Sequence, residues 1–166
     1  QRLSRGLGDV YKRQTLYTIS GDVPDDEYLV PFGKARIVSE GNDCTLVATG
    51  RMVSFCENAA QALAEDGITC DIIDPRTTSP LDEDAILDSV EKTGRLVVVD
   101  ETPPRCSFAA DIAALAAGEV FSSLKAPVRQ ITGPHSPVPF AKELEGEFVP
   151  SPTKIRDAVS EVVNFK

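Results

Sequence analysis

Residues 44–74 read CTLVATGRMVSFCENAAQALAEDGITCDIID, and this stretch decides the fold class. It opens with an apolar, β-branched run at residues 44–48, which is typical of a buried parallel strand. Residues 68–74 form a second apolar run that predicts another strand. The residues between them show an apolar stripe at helical spacing, ended by Gly67. The members of this predicted stripe are Val53, Cys56, Ala60, Leu63 and Ala64.

The same alternation of strand and helix continues toward the C-terminus. Ser79-Pro80 predicts the start of a second helix, with proline at its first position, and Gly94 predicts its end. Residues 96–99 are four apolar side chains in a row, which predicts the centre of the sheet. From residue 44 onward, each segment between two successive predicted strands is long enough to form a covering helix.

Three further elements complete the pattern. Ser107 begins another helix, residues 127–132 form a strand, and Ser151-Pro152 opens a C-terminal helix. Residues 35–39 add a short edge strand on the N-terminal side. Strands alternating with helices predict an α/β fold: a three-layer sandwich with a mostly parallel, Rossmann-like sheet of five strands.

Composition narrows the function classes. The net charge of −9 gives no electrostatic basis for binding nucleic acid. The apolar runs are far shorter than the roughly 20 residues of a membrane span. The cysteines are widely spaced among mostly apolar neighbours, which predicts small buried thiols in a reduced, cytoplasmic protein and no metal site. They are Cys44, Cys56, Cys70 and Cys106.

The N-terminal residues 1–14 are basic and begin without Met. Residues 9–14, DVYKRQ, match what the transposon end used in sequencing-library preparation would encode, so we expect an artefactual or disordered head and a natural gene that extends further upstream. Residues 15–34 are rich in glycine, proline and acidic side chains, which predicts a connector or covering arm. The domain itself is predicted at residues 35–166.

Sheets of this class bind ligands beyond the carboxyl ends of their strands. The segments to consider are therefore residues 49–52, 74–78, 100–105 and 132–135. None carries a complete catalytic motif, and residues 49–52 lack the glycine pattern of a phosphate-binding loop. We therefore predict no catalytic, cofactor-binding or metal-binding residue in this chain.

Five polar residues in these segments have two competing interpretations. Asp100 and Glu101 suit either an acid–base pair or a strand-end cap. Arg76 and Arg105 suit either substrate binding or an ion pair, and His135, the single histidine, suits either catalysis or a turn. The structural interpretation is favoured for all five, and we predict that they lie at an interface with other subunits.

Several motifs, in order and at matching spacing, resemble the β subunit of the E1 components of 2-oxoacid dehydrogenases. Arg105-Cys106-Ser107 and the passage at residues 134–140 are most similar to acetoin dehydrogenase β subunits, with pyruvate and branched-chain enzymes next. The resemblance covers residues 17–163. The motifs that carry it are PFGKA (31–35), DIIDPRTTSPLD (71–82), VDE (99–101), FAADI (108–112), PHSPVPF (134–140) and VPSP (149–152).

This resemblance implies the transketolase-type C-terminal domain of an oxidoreductase subunit. In the family, thiamine diphosphate and Mg²⁺ are held between the α subunit and the N-terminal domain of β, where the activating glutamate lies. The matching C-terminal domain assembles subunits into an α2β2 heterotetramer and helps to present β to the E2 acyltransferase core. The implied partners are therefore E1 α, a second β and E2, and the fragment alone is expected to bind no cofactor and to be inactive.

Two alternatives remain at this point. A C-terminal domain of transketolase or deoxyxylulose-phosphate synthase would share the fold, although the passage at residues 134–140 argues against it. A stand-alone flavodoxin-like or receiver-like module belongs to a different class. Residues 49–53 offer neither the clustered acids of a receiver nor the hydroxyl-rich phosphate loop of a flavin module.

Overall fold

Five strands form a single sheet within the part of the chain that the computed structural model describes, residues 20–22 and 25–166. Their order in space is β1-β3-β2-β4-β5, and every neighbouring pair is parallel except β1 with β3. The predicted five-stranded, mostly parallel sheet is therefore confirmed. The strands are β1 (Arg36–Ser39), β2 (Cys44–Ala48), β3 (Cys70–Asp74), β4 (Leu96–Val99) and β5 (Arg129–Ile131).

Helices cover both faces of this sheet. They are α1 (Arg51–Glu65), α2 (Glu83–Thr93), α3 (Phe108–Glu119), α4 (Lys142–Phe148) and α5 (Pro152–Val163). Because side chains alternate along a strand, Leu46 joins the core under α1 and α5, whereas Val47 joins the core under α2 and α3. The three-layer α/β sandwich is confirmed.

The chain separates into two units, Gln1–Pro31 and Phe32–Lys166. All the strands and helices named above lie in the second unit. The described residues of the first unit, 20–22 and 25–31, contain no helix or strand. The predicted head at residues 1–14 lies outside the described residues, and the predicted division into a connector at 15–34 and a domain at 35–166 stays a prediction.

The middle strand is β2, so the prediction that residues 96–99 form the centre of the sheet is wrong. All four residues of β4 are buried, but so are all five of β2. Helices cover both faces of each interior strand, which makes their sequences similarly apolar. An apolar run therefore identifies an interior strand without showing which interior strand is central.

The predicted start of the second helix at Ser79-Pro80 is also wrong, because α2 begins at Glu83 after Asp82. The Asp82 carboxylate is buried and accepts a hydrogen bond from the Ala35 backbone N–H at 2.8 Å. This bond is the largest influence on the Asp82 pKa and lowers it. Burial acts in the opposite direction, but the bond and the nearby charge of Lys34 together hold the pKa below its ordinary value. The acidic residue before α2 therefore connects the start of this helix to the residue before β1.

Further contacts hold the same part of the chain, just ahead of β1. The Thr77 hydroxyl accepts from the Gly33 backbone N–H at 2.9 Å and donates to the Pro80 carbonyl at 2.8 Å. The ammonium of Lys34 lies 3.6 Å from Asp82. The loop before α2 thus holds three consecutive residues immediately ahead of the edge strand.

Several helix ends agree with the sequence. Gly94 is left-handed at the end of α2, and the Ser107 and Ser151 hydroxyls accept from the third backbone N–H beyond them, capping α3 and α5. The stripe of α1 is shifted from the prediction, since Ala64 is exposed. The buried residues of α1 are Met52, Cys56, Ala59 and Leu63.

Candidate functional site

At the carboxyl ends of the strands, contacts within the chain connect three of the four segments that were expected to hold a site. An ion pair links Arg51 to Glu101, with 3.2 Å between Nη2 and Oε2. The Asp100 backbone N–H donates to the Ile131 carbonyl at 3.0 Å, and the Gly133 backbone N–H donates to the Thr102 carbonyl at 3.2 Å. The predicted segments therefore meet through contacts within the chain.

Asp100 is buried, and its carboxylate accepts hydrogen bonds from its own loop and from the helix that follows. Its Oδ1 accepts from the Thr102 backbone N–H at 2.9 Å. Its Oδ2 accepts from the Thr102 hydroxyl at 2.7 Å and from the Ala109 backbone N–H at 3.3 Å. These three hydrogen bonds close the turn after β4 and satisfy an amide in the first turn of α3. The carboxylate acts as a cap.

Glu101 points to a different partner. It pairs with Arg51, the first residue of α1, and the two side chains are 18% and 29% exposed. A cation at the N-terminus of a helix is disfavoured by the helix dipole, and the Glu101 carboxylate offsets this. The guanidinium also lies 5.4 Å from the centroid of the Phe55 ring. Asp100 and Glu101 thus bind separate donors, which favours the capping interpretation over an acid–base pair.

The other three candidate residues, Arg76, Arg105 and His135, are exposed. Within the described residues, their side chains take part in no ion pair and no hydrogen bond. Arg76 has a φ of 59°, and its backbone N–H donates to Oδ1 of Asp74 at 3.0 Å. The left-handed backbone is costly for arginine and is held here by this Asp74 turn. The interface role of the five residues stays a prediction.

Sequence reasoning missed a polar cluster at the opposite edge of the sheet, buried except for Lys92, which we call the amino-edge network: Thr45, Asp71, Ser89, Lys92 and Thr93. The Ser89 hydroxyl donates to Oδ2 of Asp71 at 2.7 Å, and the Thr45 hydroxyl lies 2.8 Å from the hydroxyls of both Ser89 and Thr93. Lys92 forms an ion pair with Asp71. A signal existed in the sequence, because Asp71 interrupts an apolar strand.

The electrostatics of Asp71 follow from these contacts. Burial alone would raise the pKa of its carboxyl, but the hydrogen bonds from Lys92, Ser89 and the Gly41 backbone N–H outweigh burial and hold the pKa below its ordinary value. The Gly41 bond is 2.7 Å long. Asp71 therefore stays ionised while it ties β3 to α2 and to the loop before β2.

Three of the four cysteines are the buried thiols that the sequence predicted. Burial raises the pKa of Cys44, and it raises the pKa of Cys56 and of Cys70 to about 12, so these thiols stay protonated. Cys106 departs from the prediction because it is exposed, in a left-handed conformation with a φ of 51°. It lies in the loop that Asp100 caps, outside the core.

Two searches of the described residues returned nothing. No group of three or more His, Cys, Asp or Glu side chains there is arranged to hold a metal ion. None of the helices in that part of the chain has both the length and the apolar character of a membrane span.

Comparison with known proteins identifies the fold family. The family described as "Transketolase, C-terminal domain" matches residues 33–155. The chain belongs to this family. The match begins at Gly33, at the hydrogen bond to Thr77, and ends inside α5, so this transketolase C-terminal domain includes the whole sheet.

Curated relatives refine the assignment. The chain is 50% identical, over 153 residues, to the acetoin:2,6-dichlorophenolindophenol oxidoreductase subunit beta of Bacillus subtilis (strain 168), covering 92% of this chain and 45% of the relative. It is 39% identical over 155 residues to the pyruvate dehydrogenase E1 component subunit beta of Rickettsia bellii, covering 93% and 48%. It is 36% identical over 148 residues to the 2-oxoisovalerate dehydrogenase subunit beta of B. subtilis, covering 89% and 45%.

A solved structure described as "Split gene transketolase, inactive beta4 tetramer" superposes with a TM-score of 0.73 at 23% identity, covering 87% of this chain and 45% of that one. This likeness supports the fold alone. The chain spans less than half the length of the curated relatives above and matches their C-terminal part. The resemblance to E1 β subunits is thereby confirmed, and the transketolase alternative is related through the same domain.

Proposed function

We propose that this transketolase C-terminal domain is the subunit-assembly part of an E1 β subunit in an acetoin or 2-oxoacid dehydrogenase complex. The observation that carries the proposal is the 50% identity to the acetoin oxidoreductase β subunit across nearly the whole chain. Identity to the pyruvate and 2-oxoisovalerate enzymes is lower, at 39% and 36%, which favours acetoin as the parent substrate.

The parent enzyme would cleave acetoin or decarboxylate a 2-oxoacid on thiamine diphosphate and transfer the acyl group to lipoyl-E2. The cofactor supplies the carbanion chemistry and the protein supplies placement. In this proposal the chain's partners are the E1 α subunit and a second β subunit, in an α2β2 assembly, together with the E2 core. The proposed location is the cytoplasm.

In the same proposal this chain holds neither thiamine diphosphate nor Mg²⁺ by itself. A diphosphate needs cations or free amides, and Mg²⁺ prefers carboxylate and water oxygens. The Arg51 guanidinium at the carboxyl edge is paired with Glu101, and the Asp100 carboxylate already accepts three hydrogen bonds. The engagement of these three side chains, together with the proposed use of the exposed Arg76 and Arg105 in subunit contacts, supports a domain that contributes contacts to its assembly and leaves chemistry to other parts of the parent enzyme.

A chimera tests the proposal. Residues 33–166 replace the matching C-terminal part of the B. subtilis acetoin oxidoreductase subunit beta, and the hybrid is co-expressed with the host α subunit. We expect an α–β complex of native mass that keeps the acetoin activity of the host, because the reacting groups lie outside the exchanged domain. A hybrid whose circular dichroism is native but which stays apart from α would contradict an assembly role.

A further inference from the structure

Three large apolar side chains are exposed within the seven residues 138–144, in the passage between β5 and α5. They are Val138, Phe140 and Leu144, which are 63%, 96% and 59% exposed. We call these three residues the 138–144 surface. A nearly fully exposed phenylalanine forgoes the free energy that burial of an aromatic ring provides, and apolar side chains grouped in this way mark interaction sites.

The backbone that carries this surface is anchored on both sides. On one side, a Cβ on Gly133 would come within 2.9 Å of the Glu101 carbonyl and of the Phe148 ring, so only glycine fits this close approach. On the other side, the Phe148 side chain is buried at the end of α4. Between them, three prolines restrict φ, at positions 134, 137 and 139. A surface presented on a restrained backbone loses little entropy when it binds.

The net charge around the 138–144 surface is negative, because Glu143, Glu145 and Glu147 outnumber Lys142. Glu143 and Glu147 are exposed, and they share one face of α4 because they are one helical turn apart. Glu147 lies in the last turn, where the helix dipole disfavours a carboxylate. The nearby Lys154 ammonium donates to the Glu147 backbone carbonyl at 2.9 Å.

We propose that the 138–144 surface docks a segment of a partner protein whose apolar side chains are flanked by Lys or Arg. This inference rests on the proposed assembly function and specifies one of its contacts. A second copy of this chain suits the surface poorly, because a twofold contact would place Glu143 and Glu147 near their own copies on a chain with a net charge of −9. A cationic partner would relieve the same repulsion.

The test uses the full chain and a fluorescein-labelled peptide of alternating Leu and Arg, with a Leu–Glu peptide as the probe control. Phe140→Ser should weaken binding of the Leu–Arg peptide about tenfold or more, since a central aromatic anchor carries much of a contact. Phe121→Ser is the matched control, because Phe121 is 72% exposed in the turn after α3. This control should bind like the unaltered chain.

A second pair of variants tests the charge. Glu143→Gln with Glu147→Gln should weaken binding several-fold at low salt, and the difference should vanish at high salt. Glu57→Gln with Glu119→Gln removes the same charge from exposed positions on α1 and α3 and should have a smaller effect. Equal effects of the two pairs would show that binding depends only on the net charge of the chain, which would overturn the proposal.

Sedimentation equilibrium separates the remaining outcomes. We expect Phe140→Ser to leave the oligomeric state of the chain unchanged; a dimer abolished by Phe140→Ser would assign the surface to a second copy and overturn the proposal. In the chimera, Phe140→Ser should impair assembly with α or with E2. Normal assembly of that variant would overturn this inference alone, whereas an unaltered chimera that fails to assemble would overturn the proposed function.

Discussion

The two edges of the sheet each hold a buried aspartate, but the two carboxylates are used differently. Asp71, at the amino edge, contacts Ser89 and Lys92 on α2 and the Gly41 amide before β2. The carboxylate of Asp100, at the carboxyl edge, accepts from its own turn and from the start of α3. The first connects elements distant in sequence, and the second closes a local loop.

This difference bears on whether the polar groups of the domain bind a ligand or stabilise the fold. In folds of this class the carboxyl edge is the usual place for ligands. Here the buried Asp100 carboxylate accepts hydrogen bonds from the chain itself and Glu101 pairs with Arg51, whereas three exposed apolar residues lie in the passage between β5 and α5. The arrangement is that of a domain stabilised internally and available for contact on its outside.

The largest expected effect comes from Asp71→Ala. The substitution leaves the Gly41 amide and the Ser89 hydroxyl without their acceptor, so we expect the free energy of unfolding to fall by about 3 kcal/mol in urea titrations. Asp74→Ala, on the same strand, removes only a turn contact to the Arg76 amide and should cost less than about 1 kcal/mol. Equal losses would show that the amino-edge network does not connect the elements.

Asp100→Ala should cost less than Asp71→Ala. It removes a turn closure and a contact to the first turn of α3, and loss of such a cap typically costs about 1 to 2 kcal/mol. Asp100→Asn, which keeps one acceptor oxygen, should recover part of the loss. Thermal or urea unfolding of Asp71→Ala, Asp100→Ala and Asp100→Asn measures the three losses of stability. A larger loss for Asp100→Ala than for Asp71→Ala would contradict our account of the two edges.

The pH dependence of stability sharpens the comparison. The folded-state pKa of Asp71 lies below its unfolded value, so the unfolded chain binds more protons in the acid range. Its contribution is complete above about pH 4 and is lost as the pH falls through the lower folded-state pKa. Urea midpoints between neutral and acid pH should therefore fall less steeply for Asp71→Asn than for the unaltered chain; parallel profiles would contradict the assignment.

The smallest effect is expected at the ion pair of the carboxyl edge. Glu101→Gln leaves Arg51 with a neutral partner at a partly solvated site, and we expect a loss of roughly 1 kcal/mol or less. The difference between this variant and the unaltered chain should shrink at high salt. A salt-independent loss of several kcal/mol would mean that the pair behaves as a buried one.

Much of the fold followed from local patterns. The apolar run of β2, the glycine that ends α2 and the serine that caps α5 each depend on nearby residues, so the sequence predicted them. The start of α2 was missed because Asp82 is engaged by Ala35, a residue far away in sequence. Helix α4 was missed because it is short and lies within a proline-rich passage.

The polar groups were harder to predict for the same reason. Asp100 was expected to cap the next turn, and it does, through bonds to residues close in sequence. Glu101 pairs with Arg51, the first residue of α1. Asp71 pairs with Lys92, which lies on α2, the helix that follows its strand. Such pairings depend on the packing of elements, which a linear pattern does not contain.

The most direct test of the central claim is calorimetric titration of the purified chain with thiamine diphosphate and Mg²⁺. We predict no saturable heat, because the Asp100 carboxylate and the Arg51–Glu101 pair at the carboxyl edge are engaged within the chain, while the chimera assembled with its α subunit binds the cofactor under the same conditions. Saturable binding to the isolated chain with a micromolar Kd would contradict an assembly domain that leaves the chemistry to its partners.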